Sequence, residues 1–328
     1  MYQTRLTELL GIEHPIIGGC MMHISRPEFV ASISNAGGLG MMASAMFPTR
    51  EEFLQAVRTA KELTHKPFGV NLSLFPALRK IDNDIYVEVI LEEKVPVVET
   101  SGRKPPVEMI ARLKAAGVIV MHKCTTVQHA LSAQNSGVDV VTVFGSEGGG
   151  HIGENGLATF VIVPRVVDEL DIPVVAAGGI SDGRGLLSAL ALGADGITIG
   201  TRLLVTEECP IHPNVKQALL EATELDTLEI LGTLHNTLRA WKNKAALAVA
   251  DMEEGGDAAK FGEILSLVAG TETKRLLQNG EVEAGVIACG QGIGLVSEIK
   301  PVAEVVQGMV KEAAAIQEQL YFYIQSHS

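Results

Sequence analysis

Aromatic residues are scarce, at 4% of 328 residues with a single Trp. Long apolar runs are missing too. No stretch of about 18 apolar residues occurs, so no membrane-spanning helix is expected. Basic charge is in deficit: 26 Lys and Arg face 39 Asp and Glu, a formal net charge of −13. Such a surface repels phosphate, so a nucleic-acid partner is not expected. Cysteine is rare. Cys20, Cys124, Cys209 and Cys289 stand too far apart for a Cys-x-x-Cys site, and no His pair joins them at zinc-finger spacing. Free thiols and no metal centre are the expectation. Residues 1–11 carry charges and lack the apolar stretch of a secretory signal, so the expected location is cytoplasmic.

What the chain has is 34 Gly and a hydrophobic fraction of 47% against 20% charged, which suits a large core and close backbone packing. One pattern repeats through the first two-thirds: a short apolar run, Gly or polar residues, then an amphipathic helical stretch. The runs are 15–18, 39–42, 68–71, 95–98, 118–121, 138–144, 172–176 and 196–200. Helical spacing fills Arg50 to Leu63, Pro106 to Ala116, Thr126 to Ser136 and Gly183 to Leu192. Gly117, Gly137 and Gly193 precede the next run, as helix C-caps feeding buried strands do. Eight such units in about 200 residues fit an α/β fold, a closed (β/α)8 TIM barrel. An open doubly wound sheet is the alternative, and it would leave some runs unused. After about Thr206 the pattern turns helical. Residues 1–212 are therefore expected to form the barrel and 213–328 a mainly helical cap. The Gly-rich segment 285–294 would return to the ligand before a last helix from about Pro301.

Barrels place their chemistry at the C-terminal strand ends. The seventh run ends in Ala176-Ala177-Gly178-Gly179 and the eighth in Gly200-Thr201-Arg202. Adjacent Gly loops at these positions suit backbone N–H groups around a phosphate, or else only tight turns. The sixth run leads into Gly145-Ser146-Glu147-Gly148-Gly149-Gly150-His151. A His among glycines has little reason to be core, so His151 reads as a proton-transfer group or as a loop-fixing hydrogen bond. Lys123 ends the fifth run and Asn71 the third. Lys123 can stabilise an anion or simply reach solvent. Asn71 can both donate and accept, or cap a turn. The first turn, Gly18-Gly19-Cys20-Met21-Met22-His23, offers backbone amides and thioethers to a flat ring, though Met is common core filling. Cys20 with His23 lacks a further ligand to hold a metal.

Together these segments resemble the nitronate monooxygenase (2-nitropropane dioxygenase) family of FMN barrels. The carriers are Thr4 to Ile16, Asn35-Ala36-Gly37-Gly38-Leu39, Pro67 to Leu72, Gly149-Gly150-His151, Ala177-Gly178-Gly179 and Gly200-Thr201-Arg202. His122-Lys123-Cys124-Thr125, residues 208–213 and Asn236-Thr237-Leu238-Arg239 look more like the subgroup of NADH:quinone reductases. The resemblance implies FMN in contact with Cys20, Met21, Met22, Asn71, Lys123, Gly149, Ala177, Gly178, Gly179, Gly200 and Thr201. His151 and Lys123 would be the catalytic residues, with positive charge at Lys123 favouring the reduced flavin. NADH is an expected electron donor. The small-molecule partner would be a nitronate or a quinone, and an enoyl thioester if the chain follows the flavin-type enoyl-acyl-carrier-protein reductases of the same scaffold. A homodimer is one option for assembly. A non-catalytic phosphate-binding barrel is the reading from another class. The first turn departs from the family's usual Gln-Gly-Gly-Met, which touches substrate choice more than cofactor.

Overall fold

The computed structural model describes residues 2–74, 82–102, 106–255, 261–268 and 270–325. All eight apolar runs form strands: β1 (Ile16–Gly18), β2 (Gly40–Ala43), β3 (Phe68–Ser73), β4 (Val97–Ser101), β5 (Ile119–Cys124) and β6 (Val140–Phe144). A two-residue strand β7 (Gly150–His151) lies outside the barrel, and β8 (Val174–Ala177) and β9 (Gly196–Ile199) complete the set. The eight barrel strands are parallel, in the order β1-β9-β8-β6-β5-β4-β3-β2. A parallel bridge between Ile17 and Leu39 joins β1 to β2 and closes the ring. The fold is a (β/α)8 barrel, and the open-sheet alternative is set aside.

Helices fill the intervals: α1 (Arg5–Leu10), α2 (Pro27–Asn35), α3 (Arg50–Leu63), α4 (Asn83–Glu92), α5 (Val107–Ala115), α6 (Val127–Asn135), α7 (Thr159–Val167) and α8 (Gly183–Ala191). Their starts follow capping chemistry. Thr49 and Glu52 form a capping box at α3, Thr126 accepts from His129 N–H at α6, and Asp182 accepts from Gly185 N–H at α8. Gly117, Gly137 and Gly193 have φ of 78°, 90° and 92°, the left-handed geometry a helix-ending glycine supplies.

Side chains alternate along each strand, and that alternation divides core from site. Ile17, Met41, Val97, Met121, Val140 and Val175 face inward as one apolar layer. Leu6 and Leu10 of α1, with Ile12, plug this layer from below. Two residues further along, the inward position is polar on five of the eight strands, with Asn71, Glu99, Lys123, Thr142 and Thr198, and small on the other three, with Gly19, Ala43 and Ala177. The barrel is therefore sealed at its N-terminal end and polar at its C-terminal end.

After β9 come α9 (Thr201–Leu204), α10 (Pro213–Leu220), a hairpin of β10 (Thr227–Ile230) and β11 (Leu238–Trp241), α11 (Lys244–Glu254), α12 (Phe261–Val268), α13 (Gly270–Asn279) and α14 (Val302–Gln325). The expected cap of residues 213–328 is mainly helical, and it also carries β10 and β11, which with β7 form a three-stranded antiparallel sheet. Ile230, Ala240, Ala246, Val249 and Val286 pack behind that sheet. The division between barrel and cap is less simple than expected, because α14 packs on α8 and α2 and fills the eighth helical place around the barrel. Gly183 makes the fit close, since a Cβ there would lie 2.5 Å from the Met309 carbonyl oxygen. Of the stretch expected to be helical up to 275, residues 256–260 and 269 lie outside the described residues.

Candidate functional site

Register sets the polar side chains together at the barrel mouth. Asn71 pairs with Glu99 across β3 and β4, and Lys123 pairs with Ser101 and with Thr142. The Asn71 amide nitrogen donates to Glu99 Oε2 at 2.8 Å, and Lys123 Nζ lies 3.0 Å from the same oxygen. The Thr142 hydroxyl donates to the other carboxylate oxygen at 3.4 Å. Glu99 is only 1% exposed, so three partners share one buried carboxylate. Burial alone would lower the Lys123 pKa. The facing Glu99 carboxylate more than offsets this and holds the ammonium charged, above its usual range. The Cys20 thiol is pushed up to about 12 by burial, so it is no nucleophile at neutral pH.

The glycine loops lie on the other side of the mouth. Gly178 and Gly179 have φ of 112° and 69°, values that L side chains rarely adopt. A Cβ on Gly200 would meet only Met21 Sδ, at 3.9 Å. Gly149 is filled from the protein side, since its Cβ would lie 2.6 Å from Gly290 N. Segment 285–294 thus comes back to the strand ends. Gly290 N–H donates to Thr201 Oγ1 at 2.9 Å, and the Ser181 hydroxyl donates to the Gly292 carbonyl at 2.8 Å. The Glu147 carboxylate accepts from the Thr159 N–H and hydroxyl, both at 2.9 Å, which ties this loop to the start of α7. A cleft of about 360 Å³ abuts Gly178 and Gly179 from the side of α8, lined also by Phe160, Leu192, Gln291 and Leu295. It shares no lining residue with Asn71, Glu99 or Lys123 and is a neighbour of the mouth.

In the first turn, Met21 N–H donates to the Ser25 hydroxyl at 2.9 Å, while the Met22 side chain is exposed. His151 sits on β7, paired with Leu238 of the cap hairpin. Gly153 fits closely against Thr125 at the end of β5, so this ribbon crosses near Lys123 in the chain. His151 Nδ1 lies 3.2 Å from the Asn236 carbonyl oxygen, which ties the ring to the cap hairpin. The ring keeps solvent contact. Burial by the surrounding protein lowers its pKa below the usual value, with backbone contacts at Asn236 and Thr237 opposing.

Sequence reading overlooked Glu99, Thr142, Thr198 and Arg239. Glu99 carried a usable signal: it lies two residues after inward-facing Val97, so alternation points it into the barrel. Arg239 stood out only within the segment 236–239 that looks like the reductase subgroup, and nothing in the sequence pointed to its contact. Its guanidinium donates from Nε to the Ser146 carbonyl at 2.8 Å, a contact made 93 residues away in the chain.

Comparison with known proteins gives a consistent set. The family model for nitronate monooxygenase matches residues 3–86 and 79–312. A Rhodococcus jostii protein named (3aS,4S,5R,7aS)-5-hydroxy-7a-methyl-1-oxo-octahydro-1H-indene-4-carboxyl-CoA dehydrogenase is 35% identical, over 95% of this chain and 96% of its own. A probable nitronate monooxygenase of Staphylococcus haemolyticus is 34% identical over 69% of this chain and 74% of its own. Among solved structures, FabK from Thermotoga maritima superposes with a TM-score of 0.90 at 35% identity, covering 98% of this chain and 100% of that one. A nitroalkane oxidase from Streptomyces ansochromogenes gives 0.83 at 26% identity, covering 96% and 99%.

Proposed function

Because the chain belongs to the nitronate monooxygenase family and is an oxidoreductase, we propose that it works with FMN bound in the barrel mouth and passes electrons between two substrates in turn. The observation that carries this reading is the change from an apolar to a polar layer at the mouth, facing the glycine loops at 178–179 and 200.

The residues fit the group. The Thr198 hydroxyl is buried with no hydrogen-bond partner in the protein, so it suits a polar ligand atom. Beside Gly200 the space is bounded only by Met21. Gly178, Gly179 and Gly200 would hold the phosphate through backbone N–H groups. Asn71 and Lys123 would hold the polar ring edge, and Cys20, Met21, Met22, Gly149, Ala177 and Thr201 would line the remainder. The Thr201 side chain is already engaged with Gly290, which leaves its backbone for that role. When bound, FMN supplies a store of electrons that separates oxidation of the donor from reduction of the acceptor.

The chain's own part is positional and protolytic. Lys123 brings positive charge to the mouth, and Glu99 fixes where that charge sits. His151, whose pKa burial lowers, is the group that would take a proton from a carbon acid. A nitronate arrives already ionised and needs no such base, and hydride delivery from NADH needs none either. Both remain the leading donors, with oxygen or a quinone as acceptor.

A second reading has its own support. The relative matched over 95% of this chain bears the name of a carboxyl-CoA dehydrogenase, whereas the nitronate monooxygenase matches over 69%. A thioester-bearing substrate is the corresponding proposal. Anaerobic mixing of separate samples of the purified yellow protein with NADH, a nitronate or a saturated CoA thioester separates these readings by which donor bleaches the flavin, and return of colour when an enoyl thioester is added to NADH-reduced protein marks that thioester as the acceptor. A colourless protein that binds no FMN on reconstitution would reject the whole assignment in favour of a non-catalytic phosphate-binding barrel.

A further inference from the structure

Three side chains unused by the barrel mouth converge behind it. Lys123 points into the barrel, so His122 and Cys124 on either side of it point outward, toward α6. His129 lies in the first turn of α6 and faces them. His122 Nε2 is 3.0 Å from His129 Nε2, and these two atoms and Cys124 Sγ lie within 4.8 Å of one another. Among the described residues this is the one such group of His, Cys and acidic side chains. His122 and Cys124 are fully buried, and His129 is half-buried.

The surrounding hydrogen bonds assign the tautomer of His122. The Thr100 hydroxyl donates to the Met121 carbonyl at 3.3 Å, so it accepts the Nδ1–H of His122 at 2.6 Å. His122 Nε2 therefore carries its lone pair, aimed at His129. An imidazole oriented through its other nitrogen is the usual arrangement of a metal-ligating His. The Cys124 thiol has a weak contact with the His122 carbonyl at 4.0 Å.

We propose that His122 Nε2, His129 Nε2 and Cys124 Sγ form a binding site for a zinc-class divalent cation at the β5–α6 interface. Two nitrogens and one sulfur suit a borderline cation rather than magnesium or calcium. Zinc–nitrogen bonds of about 2.0–2.1 Å in tetrahedral geometry need nitrogens roughly 3.3 Å apart, so the pair has to part by only a few tenths of an ångström. Binding releases the Cys124 thiol proton to solvent, forms the sulfur–metal bond and shifts the His129 proton to Nδ1. Water enters as fourth ligand from the half-buried His129 side. The ligands flank Lys123 in sequence, so the cation staples the strand that carries it. His-x-Cys-x4-His is not a zinc-finger spacing, which is why the sequence alone suggested free thiols.

The test uses the purified full chain, dialysed against chelator and titrated with cobalt(II) as probe. The expected result is one equivalent bound, with tetrahedral visible bands to the red of any flavin absorption and a sulfur charge-transfer band. Zinc should displace the cobalt and raise the melting temperature. Cys124→Ser should lose the charge-transfer band, and Cys124→Ser and His129→Gln should each weaken zinc binding at least about 100-fold. His129 is half-buried, so His129→Gln is the variant least prone to misfold. No cobalt spectrum in the wild-type protein, or unchanged affinity in the folded variants, overturns the site and leaves His122–His129 as a plain hydrogen bond between strand and helix.

Discussion

Lys123 Nζ and the Asn71 amide both meet one oxygen of Glu99, at 3.0 Å and 2.8 Å, so a single buried acid positions two of the polar side chains of the barrel mouth. The pair is close to neutral as a unit. Its effect on a bound ring then depends on which partner is nearer, and the two partners should have opposite mutational signatures.

Lys123→Met removes positive charge and should lower the flavin reduction potential. Glu99→Gln keeps an acceptor for Asn71, removes negative charge and should raise it. Shifts on the order of 30–60 mV are expected, since about 30 mV corresponds to tenfold in a two-electron equilibrium. Lys123→Met should also cost about 2–4 kcal/mol of stability, because it leaves Glu99 buried and unpaired by charge. Potentiometry with thermal unfolding checks both. Shifts of the same sign in the two variants would contradict the charge argument.

His151→Ala should keep FMN bound and spare reduction by NADH. It should slow any proton abstraction from a neutral carbon acid by about 10²–10⁴-fold. A base works only when deprotonated, and burial holds His151 below its usual 6.5. Proton abstraction by the wild-type protein should therefore fall away as pH drops through a midpoint below 6.5 and stay flat above it. Rapid mixing with each donor across pH reads this. Equal losses for both donors would make His151 a positioning group.

Gly200→Val and Gly179→Val separate cofactor loss from misfolding. Space beside Gly200 is open, so a Val there should fold with a near-normal melting temperature yet lose at least about tenfold in FMN affinity. At Gly179 the left-handed φ of 69° makes any side chain strained, at about 1–3 kcal/mol. Gly179→Val should lose both flavin and stability. Full flavin occupancy in Gly200→Val would move the phosphate elsewhere.

Arg239→Ala should cut the tie between cap hairpin and strand-6 loop at the Ser146 carbonyl. Hydrogen bonds to charged groups contribute about 1.5–3 kcal/mol, so a loss of roughly 2 kcal/mol is expected by chemical denaturation. Because β11 also pairs with β7, the same variant should raise proteolytic cleavage between residues 145 and 158. An unchanged cleavage pattern would show that β7 is held by other contacts.

The barrel was readable because each unit carries its own local instructions. Apolar runs of the right length, caps at Thr49, Thr126 and Asp182, and glycines at 117, 137 and 193 all lie within a few residues of the element they specify. The glycine loops at 178–179 and 200 were readable for the same reason. Contacts that join distant segments were not. The four-residue strands Thr227–Ile230 and Leu238–Trp241 are too short to announce a hairpin, and β7 finds its partner almost 90 residues later. Glu99 was missed because the fourth apolar run was ended at Val98, one residue before alternation would have turned a charge inward. His122, Cys124 and His129 met only when a strand's outer face was laid against the next helix.

Placement of α14 between α8 and α2 has a consequence during synthesis. Its neighbour α8 ends at Ala191 and α14 begins at Val302, an interval of 302 − 191 = 111 residues. At about 5–20 residues per second the ribosome needs roughly 6–22 s to cross it. For that time the nascent barrel carries an unsealed seam, with the faces of α8 and α2 that later meet α14 in water. That interval is when the apolar seam is most open to non-native contacts, and the docking of α14 closes it.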